Sequence, residues 1–422
     1  MSANNQVIDY IKSQWDKTIR DDVKNPGHNI ISIRRPYTVP CPDVCFTSFF
    51  YWDTYFANLG LLLSGRAQQV DDNLNAMKDF VEYFGYVPNC TGAVNRSQPP
   101  VFTRGVYDLY RFTGERGVIE KYIDALMREI NFFRTDRTTP CGLAAYRHCA
   151  TNADLDRFYT EISARLQLSE RDREYTVDHR KLSADWLGIA ESGWDFNPRF
   201  VTEESRFASS EFAHLDLNCL LYDAERKISE MLAVVGRDKE AKEYAKAAGE
   251  RKALIDKYMR DEKTGIYYDY NFRKGTLSET LSCASLYVYD VGISDDRAAA
   301  RAILSGLELP HGLSTCPYRG EDTYFQWDYP SMWPSNVFFA VCGLSRIGLT
   351  EDATRIAGKY MRTVEKSFEK TGQLWEKYDA TKGELSVCLE YETPPMLGWT
   401  AGVYMFLSQC FDKNAKIPVT EE

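Results

Sequence analysis

The run DKEAKEYAKAAGERKALIDKY, residues 238–258, decides the fold class. Ala241, Tyr244, Ala247, Ala248, Leu254, Ile255 and Tyr258 fall on one helical stripe, and Lys, Glu, Arg and Asp fill the other face. Residues 350–365 repeat the design with Ala353, Ile356, Ala357, Tyr360, Met361 and Val364, with Thr350 placed as N-cap. Working outward, the same periodicity predicts helices at 51–64, 67–84, 116–134, 211–235, 276–290, 297–305, 335–347 and 396–411. Gly65 and Gly85 follow the first two, as a left-handed C-cap requires. The sum is about ten to twelve helices, with short β pieces expected only at 265–270 and 374–378. No Gly/Ser linker, composition shift or fixed repeat divides the chain, so one all-α domain over residues 1–422 is expected.

Composition narrows the function. Lys and Arg number 51 against 61 Asp and Glu, and a net charge of −10 argues against nucleic acid or an anionic membrane as partner. The longest apolar cluster, at 59–63, falls far short of the ~20 residues of a membrane helix. The opening residues lack the pattern of a signal peptide. Eleven cysteines without a CxxC pair read as buried thiols of a reducing compartment, so a cytoplasmic protein is expected. Histidines at 28, 148, 179, 214 and 311 are scattered, so neither a metal set nor a nucleophilic triad is predicted. Eight Trp, 27 Tyr and 22 Phe, 14% of the chain, exceed what a core alone usually takes.

The helical pattern breaks at 31–50, 86–105 and 137–200, and long connections of this kind usually serve as lids or binding loops. There, and at 311–335 and 372–395, carboxylates stand beside aromatic residues. The segments are Phe49-Phe50-Tyr51-Trp52-Asp53, Glu191-Ser192-Gly193-Trp194-Asp195-Phe196, Tyr324-Phe325-Gln326-Trp327-Asp328-Tyr329, Trp375-Glu376-Lys377-Tyr378-Asp379 and Leu389-Glu390-Tyr391-Glu392. A sugar ring offers apolar C–H faces for stacking and a rim of hydroxyls for charged and amide groups. Cleaving its glycosidic bond takes two carboxyl groups, one protonated within apolar walls and one ionised to activate water. Asp195, between Trp194 and Phe196, fits the first description, and Glu376, next to Lys377, fits the second. The plainer readings stand beside these. A Trp-Asp step is often a core aromatic followed by a capping or salt-bridging carboxylate, and Asp53 is also placed as an early-turn carboxylate favoured by the helix dipole. Asp379 and Glu392 read as structural or solvated. Asn95 to Pro100 reads as a turn, although Arg96 and Gln98 offer the fork and amide that hydroxyl recognition needs.

Six stations in this order resemble the trehalases and neighbouring α-glycosidases. Tyr51-Trp52-Asp53-Thr54-Tyr55-Phe56 is similar to the end of the first trehalase signature, and Gln326-Trp327-Asp328-Tyr329-Pro330 with Trp333-Pro334 to the second. Asn95–Pro100, Glu191–Phe196, His214–Asn218 and Glu376–Asp379 match further stations, so the likeness spans about residues 40 to 410. The resemblance implies an (α/α)6 toroid with its site at one mouth, hydrolysis with inversion, a small sugar as partner and no cofactor. Carried over residue by residue, it makes Asp195 the general acid and Glu376 the base. Trp52, Asn89, Arg96, Gln98, Trp327 and Glu390 then line the sugar sites, with Asp53, Trp194 and Gln326 from the same segments. Arg173, or Arg171, corresponds to a substrate-contacting arginine ahead of the acid.

The chain also departs from the signatures. Cys45 stands where the family has a substrate-binding arginine, Ser48 where it has a glutamate, and Met332 where a glycine precedes the second Trp. Ser386-Val387-Cys388-Leu389 replaces a glycine-rich lid. Losing a guanidinium leaves hydroxyls without partners at about 1–3 kcal/mol per missing bond, which turns the expectation from trehalose itself to a trehalose-like or other short α-glucoside. The alternatives are a mannosylglycerate or glucosylglycerate hydrolase, a sugar-binding relative without turnover and, less in keeping with the histidines, a sugar 2-epimerase.

Overall fold

The computed structural model describes residues 3–22, 31–42, 46–165, 178–202, 207–320, 325–386, 393–395 and 397–410. Largely buried helices form an inner ring: α2 (Tyr51–Leu63), α4 (Phe102–Thr113), α8 (Leu215–Val234), α10 (Tyr287–Asp290), α12 (Pro334–Arg346) and α14 (Gly398–Cys410). Twelve of the thirteen residues of α2 are buried, as burial on every side demands. Each inner helix packs on the next, and α14 closes the circle against α2. That closing contact is tight, because a Cβ on Gly402 would stand 1.8 Å from the Phe56 carbonyl oxygen.

Amphipathic helices form the outer layer: α1 (Ala3–Thr18), α3 (Ala67–Phe84), α5 (Arg116–Asp136), α9 (Asp238–Met259), α11 (Arg297–Leu307) and α13 (Thr350–Thr371). The result is the expected (α/α)6 toroid. A further pair, α6 (Asn152–Arg165) and α7 (His179–Glu191), packs on itself beside the ring. Phe196, Phe200, Phe207 and Phe212 join Trp186 of α7 in a second apolar cluster there.

Several local expectations are corrected. Residues 276–290 do not form one helix but a two-residue strand at Thr276–Leu277, a 3-10 turn at Cys283–Leu286 and the single turn of α10. Ser282 caps that turn, accepting from Ala284 N. The stretches 86–105 and 137–200, read as loops, contain the start of α4 and all of α6 and α7. Thr350 is the first residue of α13, and Leu349 occupies its N-cap. Two of the two-residue strands, Tyr270–Asn271 and Tyr378–Asp379, fall at the ends of the expected β pieces, whereas others, among them Ile19–Arg20, Tyr37–Thr38, Phe212–Ala213 and Ser331–Met332, lie where none was expected. Tyr378–Asp379 pairs antiparallel with Ser331–Met332 and so brings two of the aromatic–acid segments side by side.

Candidate active site

The N-terminal ends of α2, α12 and α14 converge on a cavity of about 200 Å³. Nine of the residues expected from sequence line it: Trp52, Asp53, Asn89, Arg96, Gln98, Asp195, Gln326, Trp327 and Glu376. Trp194 does not line it. Its indole stands behind the wall, stacked on Trp327 at 5.4 Å between centroids, and Trp327 stacks in turn on Trp333 at 3.7 Å. Trp399 meets both of the latter rings edge-on. Arg171, Arg173, Glu390 and Cys45 lie outside the described residues. Ser48 is described and does not line the cavity. Met332 is accommodated by Gly312, whose missing side chain leaves the room that the Met332 sulfur occupies.

Each functional group is held by a buried network. The Trp52 backbone N–H, an unpaired donor of the first turn of α2, donates to Gln98 Oε1 at 2.9 Å, so Gln98 caps the helix that carries Trp52 and Asp53. Tyr51 anchors the same turn through its hydroxyl, which donates to Glu129 at 2.7 Å and accepts from Phe102 N at 2.8 Å. The acid segment begins at Glu191, which is fully buried and structural. It pairs with Arg137 and accepts from Ser97 N and Arg147 N, tying the connections before α4 and after α5 to the end of α7. Gly193 then turns the chain at φ +73°, and a Cβ there would lie 3.5 Å from the Trp52 ring. Beyond Asp195, Asn197 donates to the Trp194 carbonyl and accepts from Arg199 N. Arg199, fully buried, pairs with Asp216 and Asp269 and lies 4.6 Å over the Trp194 ring. Glu376 is held by Lys377 Nζ at 2.9 Å, and the Trp399 indole donates to its carbonyl at 3.0 Å.

The electrostatics single out Asp53. Burial, then the charges of Glu376 and Asp195, push its carboxyl from the ordinary range to about 8, so it carries a proton at neutral pH. A neutral carboxyl both donates and accepts, which suits a sugar hydroxyl. The three carboxyl groups therefore act on one another across one pocket. No described histidine lines the cavity. His214 is buried elsewhere, accepting from Tyr146 N, and burial lowers its pKa. Among the described residues no group of three or more His, Cys, Asp or Glu could hold a metal ion, and no helix is long and apolar enough to cross a membrane.

Sequence reasoning missed Trp333 and Trp399 as wall residues, and Phe46, Phe50, Cys90 and Ala93 beside them. Trp333 lay in a quoted motif. The signal for Trp399 was its place in the first turn of an all-apolar helix.

The family profile described as Trehalase matches residues 2–411. A periplasmic trehalase of Xanthomonas campestris pv. campestris (strain 8004) is 31% identical over 427 residues, covering 94% of this chain and 72% of the relative. Among solved structures, the neutral trehalase Nth1 of Saccharomyces cerevisiae superposes with a TM-score of 0.72 at 21% identity, over 92% of this chain and 76% of the other. A GH63 mannosylglycerate hydrolase of Thermus thermophilus, solved with Tris and D-glycerate, gives 0.63 at 15% identity, over 96% and 100%.

The Xanthomonas relative, itself described as periplasmic, overturns the expected cytoplasmic location. The thiols misled because Cys90, Cys219, Cys283 and Cys316 are buried and form no disulfide, out of reach of any oxidant, and so report nothing about the compartment. A matched profile over nearly the whole chain, and a relative of this identity, place the chain in the trehalase family of glycoside hydrolases.

Proposed function

We propose that this chain is an inverting hydrolase of a short α-linked glucoside, a trehalose-like disaccharide, working in one catalytic domain. Asp195 is the general acid and protonates the glycosidic oxygen as the C–O bond breaks. Glu376 is the general base, taking a proton from the water that attacks the anomeric carbon on the opposite face. The observation that carries this reading is that both carboxyls line one indole-walled cavity and both press on Asp53. A cavity of about 200 Å³ suits one sugar ring, bound by Asn89, Arg96 and Gln98 at its rim. Asp53, holding its proton, donates to a ring hydroxyl without adding charge to the site.

The test is a hydrolysis screen of α-linked disaccharides and glycosylglycerates, followed by proton NMR before mutarotation. Inversion delivers equal α- and β-glucose from trehalose, because only the attacked carbon changes hand. Release of α-glucose alone means retention and removes the water-activating role of Glu376. Turnover confined to a glycosylglycerate replaces the substrate and leaves the acid–base pair standing.

A further inference from the structure

Lys377, next to Glu376 in the chain, takes no part in the reaction as read above, and its surroundings are unusual. Its side chain is fully buried. Nζ lies 2.9 Å from Glu376 Oε2 and 2.7 Å from Gln326 Oε1, and 4.8 Å over the Trp333 ring. Gln326 Nε2 in turn donates to the Asp195 backbone carbonyl at 2.7 Å. The hydrogen bonds run unbroken from the Glu376 carboxylate, through an ammonium and an amide, to the main chain of the residue opposite.

We propose that Lys377 and Gln326 form a positioning brace that sets the separation between base and acid loop, over which the water and the glycosidic bond must both fit. The inference rests on the assignment of Glu376 and Asp195 as base and acid. Ser331–Met332 pairs with Tyr378–Asp379 and fixes the Gln326 and Lys377 segments side by side. Trp327 N donates to the Phe196 carbonyl at 3.0 Å, one residue beyond the acid. The brace lies between these two anchors. An ammonium is suited to it because its three donors point in different directions. Burial makes each bond to it worth keeping, since a charge that loses one partner in a dry site is strongly destabilised.

Two substitutions separate the parts. Lys377→Met keeps length and apolar bulk but removes the charge. Gln326→Leu cuts the link to Asp195 and leaves the charge in place. With the best substrate of the screen, Lys377→Met lowers kcat by about 10²-fold, the scale of a misplaced reacting pair. Its KM changes less than about threefold, as expected for a group that touches no substrate. Gln326→Leu also lowers kcat with little change in KM. Wild-type kcat in Lys377→Met, or a loss confined to KM, overturns the brace. Should Lys377→Met not fold, Gln326→Leu decides, and there a loss confined to KM overturns it by making Gln326 a simple binding group. Glu376→Gln is run alongside: if it stays active the acid–base assignment has failed, whereas an inactive Glu376→Gln beside a fully active Lys377→Met sinks the brace alone.

Discussion

At the mouth where the inner helices begin, Asp53, Asp195 and Glu376 share a cavity of about 200 Å³. Toward the opposite mouth, where α10 and α12 end, a cavity of about 1080 Å³ is lined by Arg104, Asp108, Asp223, Lys227 and Asp290 among others. Both hold a buried carboxyl that burial pushes up, Asp53 to about 8 and Asp108 to about 7. The next influences have opposite signs. Asp53 is pushed further by Glu376 and Asp195, whereas Asp108 is pulled back by Lys227 and Arg104. In the far cavity Arg104 bridges Asp223 and Asp290, and Lys227 pairs with Asp223. Its charges answer one another and serve the fold. At the near mouth three carboxyls crowd one pocket, and burial together with their mutual influence keeps a proton on Asp53, which is costly for stability and useful for acid–base chemistry. Size points the wrong way here; the sign of the neighbours points the right way.

The comparison is most severely tested by activity. Asp195→Asn and Glu376→Gln are each expected to lower kcat by about 10²–10⁴-fold, the range of a lost general acid or base. Asp108→Asn, in the larger cavity, is expected to stay within about twofold of wild type, since it removes no transition-state contact. Steady-state kinetics on all three decides. A loss in Asp108→Asn equal to that in Asp195→Asn would erase the distinction between the mouths.

Stability should show the reverse order. Arg104→Met strands Asp223 and Asp290 in a buried site with Lys227 as their nearby cation, and is expected to lower the unfolding free energy by about 3–5 kcal/mol. Urea denaturation measures it. A midpoint for Arg104→Met no lower than that for Asp195→Asn would mean that the far network contributes no stability.

How much of this the chain disclosed depended on whether the deciding partner was near in sequence. The helix α9 was legible because its stripe faces the ring and its other face meets water. Residues 276–290 were misread because their apolar content serves a buried inner position, where packing overrides period, and Ser282 starts a fresh turn in the middle of the stretch. The helix α6 was hidden although its start was written in the sequence. Thr151 and Asp154 exchange side-chain to backbone hydrogen bonds in both directions, the reciprocal pattern of a capping box. Asp178, which caps α7 by accepting from Arg180 N and Lys181 N, was a similar unused signal.

At the site, the aromatic–acid segments were legible as a set, but their chain neighbours were poor guides to environment. Trp194 and Phe196 flank Asp195 in sequence, yet one stacks behind the wall on Trp327 and the other packs with Trp186 and Phe207. The carboxyl that its surroundings push up to about 8 is Asp53, which sequence placed as a binding or first-turn residue. Burial is the first cause, and a spatial meeting with Glu376 and Asp195 that no local pattern records adds to it.

Asp53 also supplies the finest test of the contrast between the mouths. In the unfolded chain its carboxyl titrates near the ordinary aspartate value of about 3.9, and in the folded protein at about 8. Between those values the folded state holds a proton that the unfolded state has released. The stability that this proton confers is fully present below about pH 4 and is lost as pH rises toward 8, at up to about 1.4 kcal/mol per pH unit. Asp53→Asn keeps a donor and an acceptor and has nothing to ionise. Its stability, followed by urea denaturation from pH 4 to 9, is expected to match or trail wild type at the acid end and to gain on it steadily up to about pH 8. Above that the two curves run parallel. Asp108 and Glu129, the latter also pushed to about 8 by burial, make both proteins lose stability over the same range. The difference between the curves is therefore the quantity to read, because those groups cancel in it. A constant difference across the whole range would place the Asp53 carboxyl in the ordinary range. The near mouth would then lack the proton-holding carboxyl that sets it apart from the far one.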